Sequence, residues 1–240
     1  MLSILSYGFL AGLATTLGAF TVLFFGQPGR KRISFYLGLA AGVMLAVISF
    51  DLIPTALKLG SCWDTALGLL AGGFLLWLLD RLLMQIFKNS NHLQGSFRRL
   101  GFLIAVGIAL HDLPEGIAIA IGYSAADKLG PVIAIAIGLH NIPEGMSIAA
   151  PLSVSGMRPI FIILVTLAVS LITPLGTALG ILLTQLSPAN YAVLLGLAAG
   201  CMLYLVVAEL LPESRRSHQH ISYLGVLAGM IIILGINRWV

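Results

Sequence analysis

Two short motifs near the middle of the chain contain the residue types that bind transition metals. HDLPEG at residues 111–116 recurs as HNIPEG at residues 140–145, 29 positions later. Residues four apart in a helix share a face, so His111 and Glu115 should project from the same side of their helix. His140 and Glu144 should do the same in the second motif. Imidazole and carboxylate are zinc ligands, and iron and manganese also bind them. The candidate ligands for a divalent metal are therefore His111, Asp112, Glu115, His140, Asn141 and Glu144.

The charge of these motifs also favours a bound cation. With neutral histidines, Asp112, Glu115 and Glu144 carry three negative charges. A carboxylate at the centre of a bilayer costs about 2.5 to 3.5 kcal/mol on the insertion scale, so three need compensation. One divalent ion would leave a net charge of about minus one and two would leave about plus one, so the number of ions stays open.

Each motif also contains a proline, Pro114 or Pro143, that cannot donate to the carbonyl four residues earlier. The freed oxygens of Leu110 and Leu139 become available acceptors, and the kinks make room for an ion at mid-membrane depth. The alternative is a kinked helix whose His and Glu only bond each other. Two matched copies on adjacent helices favour the metal site.

The composition places these motifs in a membrane. Of 240 residues, 59% are hydrophobic and only 9% are charged, far below the quarter typical of soluble domains. The net charge of +4 does not indicate nucleic-acid binding, because the charges flank apolar runs. Cys62 and Cys201 form neither a disulfide framework nor a metal-binding pair.

The apolar runs predict an all-α integral membrane protein with eight transmembrane helices, each about 20 residues long. The first run, charge-free from Met1 to Gln27, is interpreted as a retained span because no basic region precedes it. The predicted spans are 3–25, 34–57, 64–87, 100–123, 130–153, 159–184, 189–211 and 221–239.

Lysine and arginine are distributed unequally between the two sides. The loops after helices 1, 3, 5 and 7 hold ten of them, and the opposite side holds only Lys58, Lys128 and Arg238. Since cytoplasmic loops carry the positive excess, both termini are predicted to face the outside or periplasm of a cell (inner) membrane. The ten residues are Arg30, Lys31, Arg32, Arg81, Lys88, Arg98, Arg99, Arg158, Arg215 and Arg216.

The chain also contains an internal repeat. Residues 37–54 align without gaps on residues 195–212, with ten of eighteen positions identical at an offset of 158. The repeat relates helices 1–3 to helices 6–8 in opposite directions, as in many alternating-access transporters. A generic small-residue packing face is the alternative. It does not explain why an acid and a proline also share the register. The single transporter domain would comprise a first repeat (1–87), a metal-site helix pair (100–153) and an inverted second repeat (159–240).

Acidic residues also lie near both ends of the predicted path. Asp51 lies near the outer end of helix 2, and Glu209, with Glu213 one turn later, lies near the inner end of helix 7. We interpret Asp51 as a site of ion capture and the two glutamates as sites of release. The alternative is an interfacial charge, which applies equally well to Glu213.

The paired motifs resemble those of the ZIP (Zrt/Irt-like) metal transporters, and the similarity extends over the whole chain, closest to compact prokaryotic members. The resemblance implies uptake of zinc, and often iron, manganese or cadmium, toward the cytoplasm, with the metal as cargo and no catalytic cofactor. It also favours a homodimer. It implies one ion on His111, Glu115, His140 and Glu144, and a second on Asp112, Glu115, Asn141 and Glu144.

The chain departs from the family pattern at the second metal position. Many members have a glutamate before Pro-Leu-Gly in helix 6, where this chain has Thr173, a weaker ligand. Many also have asparagine where Asp112 stands. A carboxylate has therefore moved from helix 6 to helix 4, and occupancy of the second position depends on that exchange.

An intramembrane metal-dependent hydrolase is the alternative function, because a metal held by His and Glu also activates water. The chain lacks an HExxH motif, and its carboxylates are all used as ligands, which leaves no general base. A metal- or proton-coupled exchanger would differ in driving force more than in site. The residues do not rank zinc, cadmium, iron(II) and manganese.

Overall fold

The computed structural model describes residues 2–87, 92–125, 129–182 and 188–238, and every regular element in these ranges is helical. Seven helices there are long and apolar enough to cross a membrane. The prediction of an all-α, multi-pass membrane protein is therefore confirmed. Lys88 and Lys128, and the predicted span ends at 183–184 and 239, lie outside the described residues.

Ten α-helices and two π-helical segments follow one another along the described chain. The π-helical segments are Ile48–Leu52, between α2 and α3, and Leu205–Leu210, between α9 and α10. The helices are α1 (Leu2–Phe24), α2 (Arg30–Val47), α3 (Ile53–Leu59), α4 (Cys62–Ile86), α5 (His92–Ala125), α6 (Leu129–Val154), α7 (Pro159–Ser170), α8 (Ile172–Leu182), α9 (Pro188–Tyr204) and α10 (Leu211–Asn237).

Two predicted spans differ from the observed helices. The sixth is interrupted at Leu171, because Pro174 has no N–H for the carbonyl of Ser170 and the last turn of α7 ends there. The seventh and eighth follow each other without a long loop: within residues 190–236, the non-helical backbone of His218 (φ −167°, ψ 102°) separates two helical parts.

Both π-helical segments precede a proline and contain an acidic residue. Pro54 and Pro212 cannot donate to the carbonyls four residues earlier, and a widened turn accommodates the proline ring. The segments contain Asp51 and Glu209, which are equivalent in the repeat. Turns of this kind occur frequently at functional sites.

Polar and apolar residues are distributed as in a protein surrounded by lipid. Large apolar side chains face outward, including Phe24 at 86% exposure and Trp63 at 80%. The metal-ligand candidates lie inside, among fully buried residues such as Leu103 and Met202. The interior is therefore where polar groups must find partners.

Close backbone contacts at glycines hold α1 against α6 and α5 against α8. A Cβ on Gly145 would meet the backbone of Thr15, and a Cβ on Gly116 would meet the backbone of Thr173. Small residues permit this approach in membranes. These contacts fix the two metal motifs, since each glycine follows the glutamate of its motif.

The same kind of contact joins α2 to α10 and α4 to α9. Gly38 lies against Ser222 and Gly42 against Val226, so α2 and α10 run parallel. Along α4, the backbone of Thr65 meets Gly196 and that of Leu69 meets Gly200, so α4 and α9 also run parallel.

These contacts divide the described helices into two bundles. The site bundle contains α1, α5, α6, α7 and α8, and the flanking bundle contains α2, α3, α4, α9 and α10 with the π-helical segments. The bundles meet mainly where α2 packs on α6 and α5 packs on α9. Predicted span 1 corresponds to α1, and predicted span 6 corresponds to α7 and α8. These helices pack with α5 and α6, which carry the two motifs, and not with the other helices of their repeats.

Candidate metal centre

The six candidate ligands lie on α5 and α6, and all six are buried. We call them the metal-site cluster. His111, Asp112, Asn141 and Glu144 have no exposed surface. Within the described residues, the donor atoms of His111, Asp112 and Glu115 all lie within 4.8 Å of one another, close enough to hold one ion.

Each histidine contacts the glutamate of the other motif. His111 Nε2 lies 3.2 Å from Glu144 Oε2, and His140 Nε2 lies 3.2 Å from Glu115 Oε2. The prediction placed His and Glu of one motif on one face, and the antiparallel packing of α5 and α6 turns these two faces toward each other. The result is a single cluster built from both helices.

Local hydrogen bonds orient two of these side chains. His111 Nδ1 lies 3.1 Å from the carbonyl oxygen of Gly107, one turn earlier on α5. An imidazole that donates Nδ1–H to a carbonyl keeps the Nε2 lone pair for a metal. Asn141 donates from Nδ2 to the carbonyl oxygen of Ala11 on α1, at 3.1 Å. Asn141 Oδ1 has no hydrogen-bond partner among the described residues.

Several oxygens of the cluster are buried without a hydrogen-bond partner in the described part of the chain. They include both oxygens of Asp112 and one oxygen each of Glu115, Glu144 and Asn141. Buried polar atoms are normally satisfied, and an unpartnered carboxylate is especially costly. A divalent cation would supply a partner for oxygens of this kind, so the donor set fits such an ion.

Two threonines flank the cluster. Thr173 on α8 is fully buried, and its Oγ1 has no partner among the residues described. Thr15 on α1 is also fully buried with an unpartnered Oγ1, and the sequence analysis did not single it out. The signal was available, because the repeat offset of 158 relates Thr15 to Thr173.

A cavity of about 260 Å³ joins the cluster to Asp51. Glu115 and His140 line one part of it, and Asp51 and Thr55 line another. Tyr191 also lines it, and it lies near the start of α9. The cavity therefore lies on the side of the cluster where α6 and α9 begin, which is also where α3 ends.

Glu209 and Glu213, the predicted release residues, lie toward the end of the protein opposite the cavity. Glu209 accepts two hydrogen bonds from Arg99, from Nη1 to Oε1 and from Nη2 to Oε2, both at 3.0 Å. Glu213 accepts a hydrogen bond from Ser217 at 3.4 Å and is half-buried. Neither glutamate contributes to the metal-site cluster.

Comparison with known proteins identifies the family. Residues 88–237 match the profile of the family described as ZIP Zinc transporter. The chain belongs to the ZIP family. The matched region includes both metal motifs and the second π-helical segment, so the resemblance inferred from HDLPEG and HNIPEG is confirmed. Membership in a family of transporters gives no support to the hydrolase alternative.

Individual ZIP relatives align along nearly the whole chain. A protein named zinc transporter ZupT from Chlorobium limicola is 33% identical, covering 92% of this chain and 91% of its own length. Its namesake from Salmonella paratyphi A is 36% identical, covering 93% and 91%. One from Xanthomonas axonopodis pv. citri is 34% identical, covering 92% and 88%. The ZIP similarity is therefore not confined to the metal motifs.

Proposed function

We propose that this ZIP protein transports divalent transition metal ions, zinc first among them, from the outside or periplasm into the cytoplasm. The observation that carries the proposal is the metal-site cluster, which contains unpartnered buried oxygens and meets a cavity at Glu115 and His140. Relatives that align with more than nine-tenths of the chain are named zinc transporters. Cadmium, iron(II) and manganese are further proposed substrates, because the same donors bind them.

We infer that the chain crosses a cell (inner) membrane eight times, with both termini outside. Consecutive crossings alternate in direction, so α2 and α4 are antiparallel. Because α10 runs parallel to α2 and α9 runs parallel to α4, α9 and α10 must also oppose each other. The non-helical backbone at His218 is the place for that reversal. The excess of Lys and Arg on one side supports the orientation.

We further propose a 3+2+3 arrangement, with inverted repeats at 1–87 and 159–240 around the helix pair at 100–153. The two π-helical segments occupy equivalent positions in the repeat. Thr15 and Thr173 are also equivalent, and each packs on the glycine of one metal motif. These correspondences support a common origin of the two triplets.

The proposed site holds two ions. His111, Glu115, His140 and Glu144 bind the first, a set supported by the contacts between α5 and α6. Asp112, Glu115, Asn141 and Glu144 bind the second, with both glutamates bridging. Asp112 supplies the carboxylate that Thr173 does not. Both oxygens of Asp112 lack a hydrogen-bond partner in the described structure, and Oδ1 lies 3.6 Å from His111 Nε2, which supports this role.

The Asp112→Asn substitution is expected to reduce bound zinc from about two ions to about one per chain, since an amide is a weaker ligand than a carboxylate. Adding Thr173→Glu should restore the second ion by returning the carboxylate from the neighbouring helix. Metal content of purified protein after dialysis against buffered zinc measures both changes. Unchanged stoichiometry in Asp112→Asn would remove Asp112 from the second position.

We propose that Asp51 captures the ion at the outer end of the cavity, and that Glu209 and Glu213 take part in its release. Asp51→Asn is expected to raise the zinc concentration for half-maximal uptake by about tenfold with little change in maximal rate, because a nearby charge concentrates the ion. Initial uptake rates over a range of zinc concentrations test this. Lys58→Gln is the control. Because it removes a positive charge, it should leave the zinc concentration for half-maximal uptake unchanged or lower it.

A homodimer is proposed from the family resemblance. The span within α4 is the least buried of the seven, with 22% of its most apolar window inside the structure. Its outward side chains include Trp63 and Phe74. This face contacts either lipid or a second copy, and cysteine crosslinking along α4 in native membranes distinguishes the two.

The test of transport is metal flux into proteoliposomes that contain the purified protein. Saturable uptake of zinc, compared with cadmium, iron(II) and manganese and with protein-free vesicles, is the expected result. Repeating the assay with a pH gradient measures proton coupling. Stoichiometric metal binding without flux in folded protein would refute the transport proposal.

A further inference from the structure

A cluster of charged side chains joins the site bundle to the flanking bundle at the end of the protein opposite the cavity. We call it the ion cluster. Arg99 on α5 donates two hydrogen bonds to Glu209, each at 3.0 Å, and its Nη1 also contacts Asp80 Oδ1. Tyr204 donates its hydroxyl proton to Asp80 Oδ2 at 3.0 Å. Arg99 is 19% exposed in its side chain, and Asp80 and Glu209 are each 11% exposed. One guanidinium is thus shared by two partly buried carboxylates.

This ion cluster links the two bundles. Arg99 belongs to the site bundle, and Asp80, Tyr204 and Glu209 belong to the flanking bundle. Arginine suits such a position because its planar guanidinium pairs with carboxylates in two parallel hydrogen bonds. Any sliding of the site bundle against the flanking bundle must first break these contacts.

An apolar layer separates the ion cluster from the metal-site cluster. Gly107, whose carbonyl accepts from His111, packs against the side chains of Leu205 and Leu76. Both leucines are fully buried. Leu205 begins the π-helical segment that contains Glu209. The route from the metal site to this end is therefore closed first by leucine side chains and then by ion pairs.

We propose that Arg99 is a latch on the release side of the transporter. Its contacts hold the two bundles together at this end while the cavity at the other end leads to the metal site. With Arg99 in place the three charged groups sum to one negative charge. When the bundles separate, Asp80 and Glu209 lose the guanidinium, and a divalent cation balances their two charges. The departing ion thus takes the place of Arg99.

The latch itself does not depend on which ion is carried, whereas the exchange of Arg99 for the ion rests on the proposed transport function. Lysine should replace Arg99 poorly, because one ammonium cannot form paired bonds to Glu209 and also contact Asp80. The latch therefore requires the guanidinium and not only its charge.

Thiol accessibility at Leu205 tests the latch. Leu205→Cys is introduced with Cys62→Ser and Cys201→Ser, which remove both native cysteines. The protein is placed in lipid nanodiscs and treated with a charged methanethiosulfonate. We expect slow modification with Arg99 present and at least a tenfold faster reaction with Arg99→Gln, with Arg99→Lys in between.

Arg81→Gln is the matched control, because Arg81 lies one residue after Asp80 and its guanidinium lies over the ring of Trp77 at 5.6 Å. It should leave the reaction rate unchanged. The combination Arg99→Gln, Asp80→Asn and Glu209→Gln removes all three charges at nearly constant shape. It should stay folded by size-exclusion chromatography and react as fast as Arg99→Gln alone.

Equal reaction rates with and without Arg99 in folded protein would overturn the latch. Faster reaction in Arg81→Gln than in Arg99→Gln would overturn it as well. Adding zinc to the protein with Arg99 intact should also speed the reaction. If Arg99→Gln speeds it and zinc does not, the latch stands and the exchange with the transported ion is refuted.

Discussion

Replacing Glu144 by glutamine is expected to abolish saturable zinc uptake, lowering the rate by more than about 100-fold. Loss of an outer-shell partner typically costs about 10- to 100-fold in metal affinity, and Glu144 is proposed as a ligand to both ions. Its Oε2 contacts His111 Nε2, and its Oε1 is buried without a partner in the described residues. Glutamine keeps the volume and removes the charge.

Flux into proteoliposomes measures this effect, and metal content after dialysis should fall in parallel. Asp64→Asn is the control, because it also removes one carboxylate from the chain but at a partly exposed position in the capping box of α4. It should transport zinc at close to the normal rate. Transport at the normal rate by folded Glu144→Gln would exclude the metal-site cluster as the path of the ion.

Adjacent glycines on α4 are expected to respond to the same substitution with opposite signs. A Cβ on Gly72 would meet the backbone of Leu197 and Cys201, whereas a Cβ on Gly73 would have only the carbonyl of Gly200 near it, at 3.8 Å. Overpacking of a filled interface typically costs about 1 to 3 kcal/mol. Alanine in place of a helical glycine otherwise gains up to about 1 kcal/mol. Gly72→Ala should therefore destabilise the protein and Gly73→Ala should stabilise it slightly.

Thermal unfolding in detergent, followed by fluorescence-detected size exclusion, compares the two variants directly. The expected order of melting temperature is Gly73→Ala, unsubstituted protein, then Gly72→Ala. Equal melting temperatures for the two variants would contradict a backbone contact between α4 and α9. Because the two positions are neighbours on one helix, general effects of alanine on insertion cancel in the comparison.

The metal-site cluster could be predicted from sequence because its chemistry is local. His and Glu four residues apart, with a proline between them, specify donors on one helix face, and a second copy specifies a partner helix. The pairing of His111 with Glu144 could not be predicted, because it depends on the rotation of α5 against α6. Asp51 and Glu209 were marked by the repeat, and the structure adds that both lie in widened turns.

Long-range contacts account for what the sequence left undetermined. From the sequence alone, Arg99 contributes only a charge that orients the chain, because no local pattern connects it to Asp80 or to Glu209, 110 residues away. The break at Leu171 follows from Pro174. This proline interrupts the backbone hydrogen bonds of the helix but leaves the apolar run intact, so the hydropathy of the span does not reveal the break. The grouping of α1 and α8 with the metal motifs depends on glycine contacts between helices far apart in sequence.

The glycine contacts also bear on how the protein is made. Three closely packed pairs join helices that are distant in the chain: α1 packs on α6, α4 packs on α9, and α2 packs on α10. Closing such long intervals is slow compared with forming local contacts. During synthesis the early helices therefore lie in the lipid with their glycine faces unfilled, and a chain that stops before Pro188 leaves α2 and α4 without partners.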